Sequence, residues 1–562
     1  MKKNFNKKGL TAAVLAMAML ALTACGGSEE VETEAAAATT TEAAAEAEGA
    51  ETEAAAAETT GTGKSITMAI TAGGDTFNPL AADTNADDYM QLLIWDRPFI
   101  TKIDGTIEPH LCDSYEMVDG KTMRLTINAD AMWTDGEPVT AEDFLWTAQA
   151  MTNKDIAAPR SFVMKYLDGT DDSGIETADQ SVAVTVVDDK TVDLKFKNEI
   201  DPVMFIQMWN LNFLVLPAHC FEGVAFADVN NSDFWDAPIG CGPCIYSSMV
   251  QDERIEYTAN KDYYLGAPDF DTFTIRIVPD TNMLAGLMSG EIDIVAGGSS
   301  DLPVADWELA KAQDNLVCVS AGGPGYYNLC INQQRDYLTP EVGQAIEMAI
   351  DKQAISNAMF AGQAEVANSW VPKSSRYYNP AVETMNQYDP EAAKALLDEA
   401  GWDWDRELHL LGNSNPSSVP IIEMIQQNLV DIGMKVNLET ADTATCVSKL
   451  SGGEVDVGIM GTAGTLDPDN CAINFTVGGP FCFANIADTT WNDTVNAGAA
   501  AADFEERKAI YDDLQVRVKE EVPYIYLYFT PEFVAYNKKL SNIDITDFFQ
   551  LQYSVWEWKV AE

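Results

Sequence analysis

The chain has 562 residues, of which 34 are basic and 88 acidic, so its formal net charge is −54. This length is too great for a single hydrophobic core, and a hydrophobic content of 47% with 9% aromatic residues is typical of folded rather than disordered protein. So acidic a surface repels phosphate backbones and anionic membrane faces, which argues against nucleic acid as a partner.

The N-terminus has the features of an export signal. Four lysines precede an apolar run over residues 10–22, which is too short to span a membrane. The run ends in the letters LTACG, which look like a lipobox whose Cys25 is lipidated. A plain secretory signal is the alternative. We therefore expect residues 1–25 to be a lipoprotein signal peptide and the protein to be extracytoplasmic, anchored by lipid to the outer face of the cytoplasmic membrane or on the periplasmic side.

Residues 26–63 are predicted to form a disordered acidic tether. They consist mainly of Ala, Thr and Glu, with ten acidic residues and no basic one. Nothing in this composition can bury a core. A flexible coil of this length would span roughly 30–40 Å between the lipid and the folded part of the protein.

From residue 64 onward, strand and helix patterns alternate between turn signals such as Asp104-Gly105 and Asp119-Gly120. Strands are predicted over 65–72, 100–109 (a hairpin), 113–117, 121–127, 182–187, 191–196, 253–259, 273–279, 326–332, 434–439, 455–460 and 524–529. Helices are predicted over 89–95, 281–288, 340–355, 389–402, 421–432 and 504–522, and another begins after Thr140. This mixture predicts the α/β fold class.

The segment 131–151, AMWTDGEPVTAEDFLWTAQAM, combines a turn with a helix start. Asp135-Gly136 is a strong turn signal, Thr140 is a candidate N-cap, and Asp143 can complete a capping box. These features alone fit an ordinary strand–turn–helix corner. The whole string closely resembles the signature F-S-D-G-x-P-L-T-A-x-D-V of the family 5 extracellular solute-binding proteins, the oligopeptide, dipeptide and nickel receptors of ABC importers.

Further blocks resemble this family in the same order. Residues 77–80 are like its T-L-D-P segment, with Asn78 in place of the usual Asp. Residues 260–264 are like N-x-x-Y-W, and residues 289–294 match x-G-E-I-D. Single blocks are weak signals, but the collinear series continues from Ser65 toward the C-terminus. On this basis the chain is identified as a member of the family.

The resemblance implies a two-lobed clamshell of the type II periplasmic-binding-protein kind, with an extra domain inserted beside lobe one. Two strand crossings, near 326–332 and 524–529, would form the hinge. Ligand would bind in the cleft between the lobes, and the closed form would dock on a permease. The expected boundaries are 64–106, 237–326 and 527–562 for lobe one, 107–236 for the extra domain, and 327–526 for lobe two.

The identity of the ligand is less well defined. Family members often bind a peptide α-ammonium through an Asp that lies a few residues before a D-P pair. Counted back from Asp467-Pro468, that position is Gly464 here, and the aromatic residue often found nearby is Gly461. Asp467 either replaces the missing acid or caps a turn. The family favours a peptide-like solute, an oligosaccharide or other non-peptide solute is the alternative, and no cluster of His favours nickel.

The expected ligand-binding residues lie at the edges of the predicted lobes. They are Asp75, Phe77, Asn78, Tyr326, Tyr327, Asn328, Trp370, Thr465 and Asp467. The expected partners are a small solute of the oligopeptide kind, the permease subunits of an ABC importer and, through the N-terminal lipid, the membrane. No nucleic-acid partner and no cofactor are expected, and the chain is expected to be a monomer.

The sequence carries no recognisable catalytic motif. His110, His219 and His409 are far apart and lack zinc-ligand spacing, and neither a Gly-x-Ser-x-Gly elbow nor a Walker loop is present. We therefore expect neither catalytic residues nor a metal site, and the protein not to be an enzyme. An exported hydrolase is the alternative from another functional class.

One cysteine motif could mislead. Cys241-Gly-Pro-Cys244 matches the thioredoxin redox sequence, which needs a helix N-terminus to lower a thiol pKa. The residues that follow have a strand pattern, and the string also matches the family's G-T-G-P-Y turn. We expect two structural thiols, with a local disulfide and a redox pair as the alternatives.

Overall fold

The computed structural model describes residues 63–298, 300–545 and 551–561. The predicted signal peptide, its Cys25 and residues 26–62 of the predicted tether lie outside the described residues. Within the described ranges, none of the helices combines the length and the apolar character that a membrane span requires.

The strands of the described residues are numbered in chain order. They are β1 Ser65–Ile70, β2 Phe99–Thr101, β3 Ile107–Pro109, β4 Cys112–Asp119, β5 Thr122–Ile127, β6 Val184–Asp188, β7 Thr191–Lys195, β8 Cys244–Val250, β9 Arg254–Ala259, β10 Thr272–Ile277, β11 Ile294–Val295, β12 Leu316–Ile331, β13 Glu365–Val366, β14 Glu407–Asn413, β15 Lys435–Ala441, β16 Val457–Thr462, β17 Tyr524–Asn537, β18 Leu540–Ser541 and β19 Lys559–Val560.

The α-helices of the same residues are numbered likewise, and short 3₁₀ turns connect some of them. They are α1 Asn85–Gln91, α2 Ala141–Thr152, α3 Pro202–Asn210, α4 Phe226–Val229, α5 Asp280–Ser289, α6 Trp307–Lys311, α7 Pro340–Ala349, α8 Lys352–Met359, α9 Pro390–Glu399, α10 Val419–Asp431, α11 Thr443–Ser451, α12 Asp469–Ala472, α13 Thr490–Ala500 and α14 Phe504–Glu521.

Most predicted elements are confirmed with shifted ends, but the helix predicted over 340–355 is wrong in one respect. It is two helices, α7 and α8, because the chain breaks at Asp351. The Asp351 side chain caps α8 by accepting the backbone N–H of Ala354 at 2.8 Å. Its own backbone N–H donates to the side chain of Asn428 at 3.1 Å instead of continuing the first helix.

One mixed sheet runs through both halves of the molecule. Its strand order is β15-β14-β16-β12-β17-β11-β1-β10-β9-β8, and β13 also pairs with β17. We refer to the side with β1 and β8 to β11 as lobe one, and to the side with β14 to β16 as lobe two. Strands β12 and β17 belong to both lobes.

These two long strands run from one lobe into the other and include the segments 326–332 and 524–529 predicted for the hinge, apart from Asn332, which follows the end of β12. The first part of β12, residues 316–322, pairs with 531–537 of β17, and the second part, from Tyr326, pairs with 524–529. The register shifts between Gly322 and Tyr326, across the sequence Gly-Gly-Pro-Gly. Because this stretch carries little side-chain bulk, the strands can bend there without disturbing either lobe.

A separate four-stranded sheet, in the order β4-β5-β7-β6, forms the extra domain together with α2 and α3. The predicted capping box of α2 is confirmed, since the backbone N–H of Thr140 donates to Asp143 Oδ2 at 2.8 Å. Helix α3 follows Asp201, whose side chain accepts the backbone N–H of Val203 at 2.9 Å. The far end of α3 reaches the space between the extra domain and lobe two.

Buried apolar side chains form separate cores on the two sides of the crossing strands. Lobe one and the extra domain share a core that contains Trp95 and Trp209. Lobe two has one core around Ile346 and a second around Trp370. A further core of lobe one, around Leu287 and Trp307, packs against Phe360, which also packs against the Ile346 core, so this side chain joins the two lobes beside the crossing strands.

Candidate ligand-binding cleft

A cavity of about 180 Å³ lies between the extra domain and lobe two. One wall comes from α3 and the 3₁₀ turn before it, and the other from the loop after β16. It is lined by Phe162, Gln207, Met208, Leu211, Asn212, Thr465, Leu466 and Asp467. This lining is mainly apolar with a few polar groups that converge, as is usual for small-molecule sites.

The two walls are joined by polar contacts beside the cavity. Asp201, at the start of α3, is 4% exposed and accepts a hydrogen bond from the Tyr377 hydroxyl at 2.7 Å. It also forms an ion pair with Arg376. Both partners belong to lobe two, so these bonds exist only while the extra domain and lobe two are close together. We call Asp201, Arg376 and Tyr377 the latch.

Asp467 is held by a buried arginine on the lobe-two wall. Arg507 donates from both terminal nitrogens to the two carboxylate oxygens of Asp467, with 2.8 Å between Nη2 and Oδ1. Arg507 is fully buried and also donates to the Tyr377 hydroxyl at 2.9 Å. Burial lowers the pKa of this guanidinium, but the charge and hydrogen bonds of Asp467, with smaller contributions from Tyr511 and Tyr377, together raise it further, so the net direction is upward. The carboxylate charge of Asp467 is therefore already compensated.

Asp467 also has the turn-capping role that its place before a proline allows. Its Oδ1 accepts the backbone N–H of Asp469 at 2.9 Å, and its backbone oxygen accepts the hydroxyl of Thr465 at 2.8 Å. The loop is fixed from below by Ser375, whose hydroxyl donates to the backbone oxygen of Leu466 at 2.7 Å. The cleft loop is thus pre-organised by side chains of its own lobe.

Steric crowding explains why positions 461 and 464 are glycines. A Cβ atom at Gly464 would lie 1.7 Å from the backbone oxygen of Pro324 in the crossing strand. A Cβ atom at Gly461 would lie 3.0 Å from the ring of Tyr327. An acidic side chain at position 464 would therefore require the crossing strand to move, so an ammonium-binding Asp cannot occupy this position in the observed conformation.

Thr465 and Asp467 are the predicted site residues that the structure brings to the cavity. The three predicted near the start of lobe one lie elsewhere. Phe77 is buried against the ring of Tyr246 at 4.8 Å between centroids, and Asn78 donates to the side chain of Asn230 at 2.8 Å. Asp75 is exposed, next to these packing residues.

The other four predicted residues pack inside lobe two and are not among the residues that line the cavity. Tyr326 and Asn328 are buried in lobe two, and Tyr327 stacks on Tyr528 with 5.3 Å between ring centroids. Trp370 is 1% exposed, and its indole N–H donates to the backbone oxygen of Pro468 at 3.1 Å. Trp370 therefore supports the cleft loop from within lobe two instead of lining the cavity.

Sequence reasoning missed the extra-domain wall and the arginines. The sequence does carry a signal for α3, because Asp201-Pro202 is a strong helix start: the Asp side chain can cap the helix, and Pro fits the first helical turn. No comparable signal exists for Arg507, which meets Asp467 only through the fold. Phe162, which is 47% exposed although large and apolar, also lines the cavity.

The Cys241-Gly-Pro-Cys244 segment is not built as a redox site. Both cysteines are fully buried and free, and Cys244 begins strand β8, whereas a redox motif needs a helix there. Burial, and then the charge of Asp96, raise the pKa of both thiols. Gly240 and Gly242 pack against the backbone of Ile94, which explains the small residues of the motif.

Two lobes that share two crossing strands, with a cavity between the extra domain and lobe two, are the arrangement expected of a two-lobed solute-binding protein. Comparison with known families agrees: residues 106–481 match the description "Bacterial extracellular solute-binding proteins, family 5 Middle". The chain belongs to this family, and the predicted two-lobed α/β fold is thereby confirmed.

Relatives and solved structures extend this result. The chain is 27% identical over 472 residues to the di/tripeptide-binding protein 1 of Pseudomonas aeruginosa, covering 80% of this chain and 85% of the relative. It is 24% identical over 495 residues to the oligopeptide-binding protein AppA of Bacillus subtilis, covering 83% and 86%. The structure of AppA in complex with a nonapeptide has a TM-score of 0.64 at 22% identity, covering 89% and 99%. The structure of the ABC transporter substrate binding protein CtaP of Listeria monocytogenes has a TM-score of 0.75 at 23% identity, covering 89% and 100%.

Proposed function

We propose that the chain is an extracytoplasmic receptor that captures a peptide-like solute in the cleft between the extra domain and lobe two, and delivers it to an ABC-type importer. The observation that carries this proposal is the enclosed cavity beside the latch, in a fold whose lobes share two crossing strands. The names of the di/tripeptide-binding and oligopeptide-binding relatives support a peptide as the solute.

The solute would enter an open form. The cavity of about 180 Å³ is smaller than the roughly 300–1,000 Å³ of typical ligand sites, so the lobes must separate to admit a peptide. On closure, Phe162, Met208 and Leu211 would cover apolar side chains of the solute. The polar groups of Asn212 and Thr465 would bind its backbone amides.

Asp467 is the proposed contact for a cationic group of the solute, but not as a free charge. Because Arg507 compensates its carboxylate, an ammonium group would add to an existing ion pair and would gain less than at an unpaired Asp. Recognition would then depend more on hydrogen bonds and burial than on one salt bridge. An oligosaccharide or other neutral solute remains the second candidate for this reason.

The division into domains and the membrane anchor belong to the same proposal. We place lobe one at 64–106, 237–326 and 527–562, the extra domain at 107–236, and lobe two at 327–526. Lipid on Cys25 would tether the receptor next to its permease, with residues 26–63 as the spacer.

A thermal-shift screen tests the solute. A chain lacking residues 1–62 is heated alone and with pooled peptides, pooled oligosaccharides or nickel chelates. A ligand present at 100 times its dissociation constant should add about 2.7 kcal/mol to the free energy of unfolding. A shift with a peptide pool supports the proposal. A shift with sugars alone would overturn the peptide assignment but would leave the import-receptor role. Mass spectrometry of the incubated peptide pool separates the hydrolase alternative, which would release peptide fragments.

A pair of matched tryptophan substitutions tests the cavity itself. Leu211→Trp places a large ring in the cavity and should abolish the ligand-induced shift. Leu309→Trp, at a leucine that is 54% exposed and outside the cavity, should leave the shift unchanged. Equal shifts in both variants would show that the solute binds elsewhere.

A further inference from the structure

Three side chains of metal-ligating types meet on the extra domain, apart from the cleft. Asp135, His219 and Cys220 place one carboxylate oxygen, one imidazole nitrogen and one sulfur within 4.8 Å of one another. The distance between His219 Nε2 and Asp135 Oδ2 is 2.8 Å. Asp135 lies 84 positions before His219 in the sequence, so no spacing motif indicates this group.

We propose that Asp135, His219 and Cys220 form a binding site for a divalent transition-metal cation, for which Zn²⁺ is the best match. The donor set of one nitrogen, one sulfur and one oxygen suits zinc, whereas magnesium and calcium prefer oxygen ligands alone. Ligand atoms on a tetrahedral zinc ion lie about 3.3–3.6 Å apart, given bond lengths of about 2.0–2.3 Å. The 2.8 Å between His219 Nε2 and Asp135 Oδ2 would have to lengthen slightly, and the Cys220 sulfur already lies within 4.8 Å of both atoms.

Two turns that carry the ligands are fixed to each other by one buried carboxylate. Asp143 Oδ2 accepts the backbone N–H of Thr140 at 2.8 Å and the indole N–H of Trp133 at 3.2 Å, which fixes the turn that contains Asp135. Its Oδ1 accepts the backbone N–H of Ala218 at 2.8 Å, which fixes the turn that contains the His and the Cys. The ligand positions are therefore pre-organised, as metal sites require.

The site is accessible and lies in a negative environment. The side chains of His219 and Asp135 are 32% and 29% exposed. A surface depression of about 560 Å³ adjoins the triad and includes three further carboxylates, those of Glu137, Glu142 and Glu222. A cation would be attracted there, and water in the depression could fill the fourth coordination position.

Metal binding would require the Cys220 thiol to lose its proton. Burial, and then the charges of Asp135 and Asp143, raise the pKa of this thiol to about 11. The proton would pass to solvent as the sulfur–metal bond forms, and His219 would bind as neutral imidazole. The hydrogen bond between His219 and Asp135 would be replaced by coordination of both to the metal.

The test uses the full-length chain, stripped with a chelator and then titrated with Co²⁺ and Zn²⁺ in excess Mg²⁺. The magnesium occupies the many surface carboxylates without competing for sulfur. We expect one Co²⁺ to bind with visible bands of tetrahedral cobalt and a near-ultraviolet thiolate-to-cobalt band, and Zn²⁺ to displace it. His219→Gln and Cys220→Ser should each lower the affinity by at least about tenfold, and Cys220→Ser should remove the thiolate band.

The chain offers matched controls for both variants. His409 contacts Glu439 at 2.8 Å and is 30% exposed, but among the described residues this pair is not part of a group of three metal-ligating atoms. Cys318 is a half-buried free thiol. His409→Gln and Cys318→Ser should leave the cobalt spectrum and affinity unchanged. Binding that persists in both His219→Gln and Cys220→Ser, or a spectrum without a thiolate band, would overturn the proposal. Since the cavity residues are not involved, either result leaves the thermal-shift test of the cleft independent.

Discussion

The latch makes closure of the cleft depend on the charge of one residue. Asp201→Asn keeps an oxygen that can cap α3 through the backbone N–H of Val203, but it removes the charge that Arg376 and Tyr377 contact. The substitution should therefore leave the extra domain folded and weaken only the closed form. In the open form Asp201 faces water, so the lost interaction counts mainly against closure.

The size of the effect follows from the contacts. A hydrogen bond to a charged group contributes about 1.5–3 kcal/mol, and one between neutral groups about 0.5–1.5 kcal/mol. The Arg376 side chain is 30% exposed, so solvent screening reduces its share. We therefore expect a loss of about 1–2 kcal/mol in the closing equilibrium, which lowers the ratio of closed to open molecules about 5- to 30-fold.

Small-angle scattering and ligand titration measure this change. With the peptide pool from the binding screen, Asp201→Asn should give a larger average radius of gyration at a given ligand concentration and a 5- to 30-fold weaker apparent affinity. Asp193→Asn is the matched control, because Asp193 pairs with Arg124 within the extra domain and does not contact lobe two. Tyr377→Phe combined with Asp201→Asn should be less than additive. If Asp201→Asn behaves like Asp193→Asn, the latch does not control closure.

Three further predictions concern stability and reactivity. Burial raises the pKa of Glu347, but contacts with Lys352 and Lys519 lower it to about 2, so the stability that this carboxylate contributes is complete above pH 4.5 and is lost as the pH falls toward 2. Denaturant unfolding of Glu347→Gln should show a loss of about 3–5 kcal/mol at neutral pH and a weaker dependence of stability on acid pH. An unchanged pH profile would contradict this prediction. Gly464→Ala should lower the free energy of unfolding, measured by denaturant titration, by at least about 2 kcal/mol, because the new Cβ atom would clash with the backbone oxygen of Pro324. An unchanged stability would mean that the crossing strand shifts to accommodate the methyl group. Because Cys241 and Cys244 are fully buried, mass spectrometry should detect maleimide labelling of them only after denaturation. Labelling in the native protein would show that the segment 241–244 opens transiently.

The local elements could be predicted from sequence because their signals are local. The Thr140 capping box and the turn at Gly136 depend on residues close together in the chain, whereas the strand crossings were implied by the family resemblance. The break at Asp351 escaped prediction, because an Asp in an apolar helical pattern is also compatible with an exposed helical position. The hydrogen bond from the backbone N–H of Asp351 to the side chain of Asn428, a tertiary contact, accompanies the break of the helix.

The cleft could be predicted only in part, since its walls come from distant segments. Asp467 was identified from its place in a family motif, but its partner Arg507 is 40 residues away and lies inside a long helix. Asp201 and Tyr377 are 176 residues apart. Trp370 is expected at the cleft from its place at a predicted lobe edge, yet its indole N–H donates to the backbone of the cleft loop, a direction that sequence does not encode.

The charge arrangement beside the cleft bears directly on the kind of solute that fits. The whole chain carries a formal charge of −54, which opposes an approaching anion. Within the cleft wall, however, Asp201 and Asp467 are matched by Arg376 and Arg507. These four groups sum to zero and already satisfy one another. A neutral or zwitterionic solute can therefore be enclosed without leaving a charge unpaired, whereas a dianion would have to break one of the two ion pairs and a dication would find no free acid in this set. This balance favours short peptides with neutral side chains over strongly charged ones as solutes of the receptor.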